Sequence, residues 1–345
     1  MTAPIDTEAL VIGAGPVGLF QIFQLGLQGI HCHVVDALPH VGGQCAELYG
    51  PKPIYDIPGI PFCTGHELVE RLQQQIAPFQ ATQHLAQQVD HIERLPDQRL
   101  KVSTSAGQTF HTTTLFIAAG VGAFVPRRMA LEGLTAFEGT QVFAEHPTPE
   151  RWAGRHLVVA GDGDTALQTC LSAIAVPQAA ASVTLLHRRD QFSAAPELID
   201  QMRQACAQGQ MRFVAGQPTG LRAEAGRLQA LELLNPQGET EWLTLDVLQT
   251  CLGLSPKLGP VAQWGLAMER KQLTVNTENF GTSEPGIFAV GDINTYPGKK
   301  KLILCGFHEA TLAAFGAVAL LRPEEKTLLQ YTTTSTLLHQ RLGIA

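Results

Sequence analysis

No C-x-x-C occurs anywhere in the 345-residue chain, and its seven cysteines, at 32, 45, 63, 170, 206, 251 and 305, are odd in number and widely scattered. That pattern excludes a disulfide framework, a zinc ribbon and an iron–sulfur cluster, and reads as mostly buried free thiols in a reducing compartment. No run of eighteen apolar residues exists, and the opening MTAPIDTEAL lacks a basic segment followed by an apolar one. A membrane span and a secretory leader are therefore not expected, which makes the cytoplasm the default location. Positive charge is scarce: 24 Lys and Arg against 31 Asp and Glu leave a formal charge of −7, so nucleic acid is not expected as the main partner. Aromatics are only 6% and charged residues 16%, yet 45% of the chain is apolar, enough for two domains with full cores.

What is present begins with Leu10-Val11-Ile12, a buried-strand run, followed by Gly13-Ala14-Gly15-Pro16-Val17-Gly18, a G-x-G-x-x-G. A helix-compatible stretch to Leu27, a second strand His33-Val34-Val35 and the acid Asp36 complete a nucleotide-binding unit in the correct order. Gly13 permits the tight turn, Gly15 admits a pyrophosphate to the backbone, and Gly18 allows close packing of helix on strand. The helix N-terminus offers free N–H groups to phosphate, and Asp36 accepts from ribose hydroxyls.

The plan then repeats. Gly161-Asp162-Gly163-Asp164-Thr165-Ala166 follows the strand His156–Ala160 and precedes a helix and the strand Val183–Leu186, its first glycine 148 residues after Gly13. The duplication predicts an α/β protein of two Rossmann-like domains of the three-layer ββα type, the second inserted in the first. Residues 1–120 and 253–345 would form one domain and 121–252 the other. The late strand Gly286–Val290, with Gly291-Asp292 and a helix from about Gly306, supplies the closing piece that the first copy lacks.

The copies differ at the end of the second strand. There the second unit carries His187-Arg188-Arg189, whose guanidinium groups suit a 2′-phosphate that an acid would repel, so Gly161, Gly163, Ala166, Arg188 and Arg189 are the candidate NADP(H) site. Asp36 leaves the first unit for a nucleotide without that phosphate, and FAD is the candidate, held by Gly13, Gly15, Val17, Gly18, Asp36 and Asp292.

VIGAGPVGL, the GGQ of Gly42–Gln44, GDGDTA with HRR, and FAVGD resemble the two-domain pyridine nucleotide flavoprotein reductases of thioredoxin reductase type. ELYGPKPIYDIPGIP, AAGVGAFVPRR, LGLSPKLGPVAQWGL and GDINTYPGKKKLILCGFHEA resemble more closely the ferredoxin/flavodoxin–NADP reductases built on that scaffold, from about residue 8 to 340. The resemblance implies hydride transfer from NADPH to FAD and one-electron transfer to ferredoxin or flavodoxin, in a homodimer. It assigns Gln44 and Asp292 to the flavin and ribityl chain, Val89 to the adenine by backbone contact, Tyr49 to a flat contact on the ring, and Phe124 to its vicinity. The tail Tyr331–His339 would cover the other flavin face, with Thr333 as the contact. Dithiol reductases of the type need a second sulfur to resolve a mixed disulfide, which this chain lacks, so electrons must leave the flavin directly. No protein acid, base or metal is required by that chemistry. An NADPH oxidase or diaphorase and a non-catalytic flavin sensor are the alternatives. Lys299-Lys300-Lys301, the densest basic run, is the expected docking patch for an acidic partner, with Arg127-Arg128 second.

Overall fold

The computed structural model describes residues 3–144, 148–175, 180–325 and 328–344. It divides into two compact units, 1–123 with 256–345, and 124–255.

The first unit opens with β1 (Ile5–Ile12), α1 (Pro16–Leu27), β2 (Cys32–Val35) and the short α2 (Gly43–Glu47), followed by the hairpin strands β3 (Pro53–Ile54) and β4 (Cys63–Thr64). α3 (Gly65–Ile76) starts on a capping box. The Thr64 side chain accepts from the Glu67 N–H, and the Glu67 carboxylate accepts from the Thr64 N–H. β5 (Thr82–His84), β6 (Val89–Arg94), β7 (Leu100–Thr104) and β8 (Thr109–Ile117) follow. They join one sheet in the order β5-β2-β1-β8-β7-β6.

Spacing predicts a separate meander over 89–109 and then an apolar strand over 115–119, but Thr109–Ile117 is one strand that serves both. Its first half pairs antiparallel with β7 at Thr109–Thr112, while its last three residues pair parallel with a strand from the end of the chain. β1 runs parallel beside its whole length, from Ile5 against Phe110 to Ile12 against Ile117. Both faces of β1 are buried, Ala9 and Val11 among the helices and Leu10 and Ile12 on the opposite side. This is why the run is apolar without alternation.

The chain leaves through β9 (Ala123–Pro126) into the second unit, where β10 (Val142–Phe143), α4 (Pro149–Trp152), β11 (His156–Gly161), α5 (Asp164–Ala175), β12 (Ser182–His187), α6 (Pro196–Ala207) and β13 (Arg212–Ala215) build a parallel sheet. With β17 (Val247–Cys251) its order is β10-β17-β11-β12-β13. β14 (Gln217–Glu224), β15 (Arg227–Leu234) and β16 (Thr240–Thr244) form a separate antiparallel meander. β11 repeats the burial of β1: Leu157 and Val159 face α5, while Val158 and Ala160 face the meander leucines 228, 231, 233 and 243.

β18 (Leu254–Lys257) returns the chain, pairing with β9. β19 (Met268–Glu269), β20 (Gln272–Thr274), β21 (Ile287–Ala289) and β22 (Asn294–Thr295) lead to α7 (Ile303–Leu321) and α8 (Thr336–Leu342). β21 adds to β8 at Leu115–Ile117 and finishes the first sheet. Among the described residues α7 is the helix long and apolar enough to cross a membrane. Its buried face, from Gly306 through Ala310, Ala313 and Ala317, packs in the core of this unit.

Candidate nucleotide-binding sites

The glycines of the first loop separate into those the chain itself requires and one it does not. A Cβ on Gly13, at φ +104°, would sit 2.4 Å from the Ala118 carbonyl oxygen, and one on Gly18 would sit 1.8 Å from that of Gly13. At Gly15 only the Gly43 Cα lies within 4 Å, at 3.9 Å, so nothing in the fold forbids a side chain there. The space is bounded by Gly15 and Gly43, two residues without side chains, and a Cβ on Gly43 would come within 3.1 Å of the Gly15 Cα. It opens at the N-terminus of α1, where Gly15 is the cap residue, Pro16 follows and no side chain caps the N–H groups. Such a cradle fits a pyrophosphate.

Asp36 does more than wait for a ligand. One carboxylate oxygen accepts from the Ala14 N–H at 2.6 Å and the other from the Leu38 N–H at 2.8 Å, which ties the end of β2 to the glycine loop. Burial pushes the carboxyl above its usual range, against the pull of those two hydrogen bonds. Each oxygen keeps a lone pair for a hydroxyl donor. Val89 is buried at the start of β6, close in sequence to Gln87, whose N–H donates to the Asp36 carbonyl.

Gln44 and Asp292, 248 positions apart, meet with the Gln44 Nε2 3.4 Å from the Asp292 Oδ2, a long contact that leaves both groups free to engage a third partner. Gly291, at φ +81°, begins the turn that carries Asp292, and the Val17 side chain lies against both Gly291 and Gly306. Behind this turn stands a group that sequence reasoning missed. Glu309, with no exposed surface, accepts from the Gly291 N–H at 2.7 Å. Its signal was a lone acid inside the apolar run of α7, since a buried charge must find partners.

Lys299 is one of those partners, which corrects its reading as a docking residue: its side chain is 6% exposed and its Nζ donates to Glu309 and to the Gly291 carbonyl. Lys300 and Lys301 remain exposed. Tyr49, after α2, is 42% exposed with the Lys52 ammonium 5.9 Å from its ring centre. The Phe124 side chain lies outside the described residues.

The tail runs through a turn at Thr332–Thr334 into the short helix α8. Ser335 caps α8, Leu338 is buried, and the Arg341 guanidinium donates to the Leu27 carbonyl at the C-terminal end of α1. Roughly 18 Å of helix separates that end from the glycine loop. Within one chain, no described contact joins Thr333 to Gln44 or Asp292.

In the second unit Gly161 is fixed by close approach, since a Cβ would lie 2.4 Å from the Cys251 carbonyl oxygen and 2.9 Å from the Ala166 Cβ. Ala166, at the third position of the motif, is fully buried against this turn. Gly163 again faces open space, with only the Ser193 Oγ nearby at 3.7 Å. Ser193 holds the loop from outside, its N–H donating to the Asp162 carbonyl at 2.9 Å, and Asp164 accepts from the Ala195 N–H at 2.7 Å. Arg188 and Arg189 are exposed at the end of β12, and among the described residues neither guanidinium is paired with an acid. Burial pushes the His187 imidazole below its usual range, with the two arginines adding to the effect and Asp162 opposing it.

Three of the thiols are unreactive by environment. Burial raises Cys45 to about 11 and Cys32 to about 12, and Cys170 lies well above the ordinary value. None of the three is a thiolate at neutral pH.

Two glycine loops, each between a buried parallel strand and a helix, define a protein with two dinucleotide-type sites. The family model of the pyridine nucleotide-disulphide oxidoreductases matches residues 7–311. A ferredoxin–NADP reductase of Paracidovorax citrulli is 57% identical over 99% of this chain and 97% of its own, and one of Albidiferax ferrireducens is 55% identical over the same shares. The chain belongs to the ferredoxin–NADP reductases of the pyridine nucleotide-disulphide oxidoreductase family. The fold is shared with the thioredoxin reductase of Lactococcus lactis (TM-score 0.56, 21% identity, 91% of this chain and 99% of that one). It is shared also with the bacillithiol disulfide reductase of Staphylococcus aureus (TM-score 0.61, 15% identity, 91% and 99%).

Proposed function

We propose that the protein is an FAD-dependent oxidoreductase that moves electrons between NADPH and ferredoxin or flavodoxin. The observation that carries this reading is the opposite charge at equivalent strand ends: Asp36 after β2, and the unpaired Arg188 and Arg189 after β12. One site suits a dinucleotide with free ribose hydroxyls and the other a 2′-phosphate.

The first unit holds FAD through the N–H groups around Gly13, Gly15, Val17 and Gly18, with Asp36 on the ribose, the Val89 backbone on the adenine, Gln44 and Asp292 on the ribityl chain, and Tyr49 near the ring. Bound there, FAD supplies a ring that takes up two electrons as hydride and passes them on singly. The second unit orients NADPH by its phosphates, through Gly161, Gly163, Ala166 and the arginine pair. The chain's part is positioning, because the transfer requires stacked rings in near-attack geometry rather than a protein acid or base. The raised thiols support direct electron exit without a sulfur relay. The reading includes a homodimer in the cytoplasm. With α8 anchored at the far end of α1, Thr333 serves a flavin as a contact across that dimer.

Anaerobic addition of NADPH to purified protein, followed by visible spectroscopy, tests this. The yellow absorption should bleach with NADPH, and cytochrome c reduction should depend on added ferredoxin. Rapid peroxide formation in air without a ferredoxin requirement would indicate an oxidase instead, and flavin that NADPH barely bleaches would indicate a sensor.

A further inference from the structure

We infer that Glu309 is a positioning residue for FAD, holding the Gly291–Asp292 turn at the height the ribityl chain requires, with Lys299 as its built-in counter-ion. The inference rests on the FAD reading above.

Glu309 has no solvent exposure, and its two oxygens take four donors. One oxygen accepts from the Gly291 N–H at 2.7 Å and the Asn294 Nδ2 at 2.8 Å; the other accepts from the Tyr296 hydroxyl at 2.9 Å and the Lys299 Nζ at 2.5 Å. The Lys299 ammonium also donates to the Gly291 carbonyl at 2.9 Å, so the peptide groups on both sides of Gly291 are held by one ion pair. Gly291 carries Asp292 directly, and on the other side Val17 of the glycine loop packs against it. A core helix needing only apolar contact has no use for a charge in this position, because desolvating a carboxylate and an ammonium costs more than an apolar pair of the same size. What the pair provides is a fixed backbone beneath Asp292.

The test compares two charge-balanced double variants. Lys299→Met with Glu309→Gln keeps an acceptor for the Gly291 N–H, whereas Lys299→Met with Glu309→Leu removes it. FAD affinity is measured by titrating FAD into deflavinated protein and following flavin fluorescence, with melting temperature and the visible circular dichroism of the bound flavin read in parallel. The glutamine variant should bind FAD within about threefold of wild type. The leucine variant should bind at least tenfold more weakly and show an altered flavin dichroism, beside the lower melting temperature that its unpaired buried donors impose. Equal FAD affinity and dichroism in the two variants overturns the inference and leaves the network a packing feature.

Should the leucine variant not fold, Glu309→Asp keeps the charge but withdraws the carboxylate by one methylene. It must then show the weakened FAD binding with a folded near-ultraviolet spectrum, and unaltered affinity there also overturns the inference. Wild-type protein that takes up no FAD would fail the reading beneath, a result distinct from either.

Discussion

The Lys299 ammonium lies 2.5 Å from a Glu309 carboxylate oxygen, with side-chain exposures of 6% and 0%, although Lys299 heads the most basic run in the chain. The two following lysines stay in solvent beside the 45%-exposed Leu302 and Leu304, so the run divides into one structural charge and a small basic, apolar surface.

That division gives opposite phenotypes to neighbouring residues. Lys300→Glu with Lys301→Glu should slow ferredoxin-dependent cytochrome c reduction at low ionic strength, converge with wild type as salt rises, and spare ferricyanide reduction by NADPH. Lys299→Met should instead destabilise the protein by about 3–5 kcal/mol, the usual cost of leaving one member of a buried pair alone. If the double reversal leaves the salt dependence unchanged, the partner docks elsewhere.

Gly15→Ala and Gly18→Ala should part company in the same way. The first meets only the Gly43 Cα at 3.9 Å, so the melting temperature of the deflavinated protein should hold while FAD uptake falls by an order of magnitude or more. The second drives a methyl to 1.8 Å from the Gly13 oxygen and should lower both. Thermal melts with and without FAD make the comparison, and a Gly15→Ala protein that binds FAD normally would remove the pyrophosphate from this loop.

Arg188→Ala with Arg189→Ala should raise the KM for NADPH while leaving that for NADH nearly unchanged. Each charge-assisted bond is worth roughly 1.5–3 kcal/mol, and about 1.4 kcal/mol corresponds to tenfold. Exposure reduces that gain, so a rise of about 10- to 100-fold is expected. Equal losses with the two cofactors would mean that the arginines do not read the phosphate.

His33 and His84 share a 2.9 Å contact between β2 and β5, and both imidazoles are held below the ordinary 6.5, by burial first and for His33 also by its neighbour. The unfolded chain therefore binds more protons than the folded one between the depressed values and 6.5. Stability from this pair is complete above that ordinary value and is lost as pH falls through the folded one. Melting temperatures recorded from pH 8 to pH 5 should fall on the acid side, and His84→Gln should flatten that fall. A slope identical in the variant would assign the acid sensitivity to other groups.

The sequence by itself determined the duplicated strand–loop–helix plan, the glycines at 13, 18 and 161, and the contrast of Asp36 with Arg188 and Arg189. These signals are local: a tight turn, a close approach or a strand end acts within a few residues, and spacing records it. The tertiary structure decided which partners lie across the fold. It made one strand of Thr109–Ile117 because β7 and β21 pair with different halves of it. It engaged both oxygens of Asp36 with backbone N–H groups, carried α8 to the far end of α1, and set Asp292 on a turn held by Glu309. Whether a lysine meets water or a carboxylate is a question of burial. A run of three lysines is the same in either environment, and only the packing of α7 against the 291–299 segment separates Lys299 from Lys300 and Lys301.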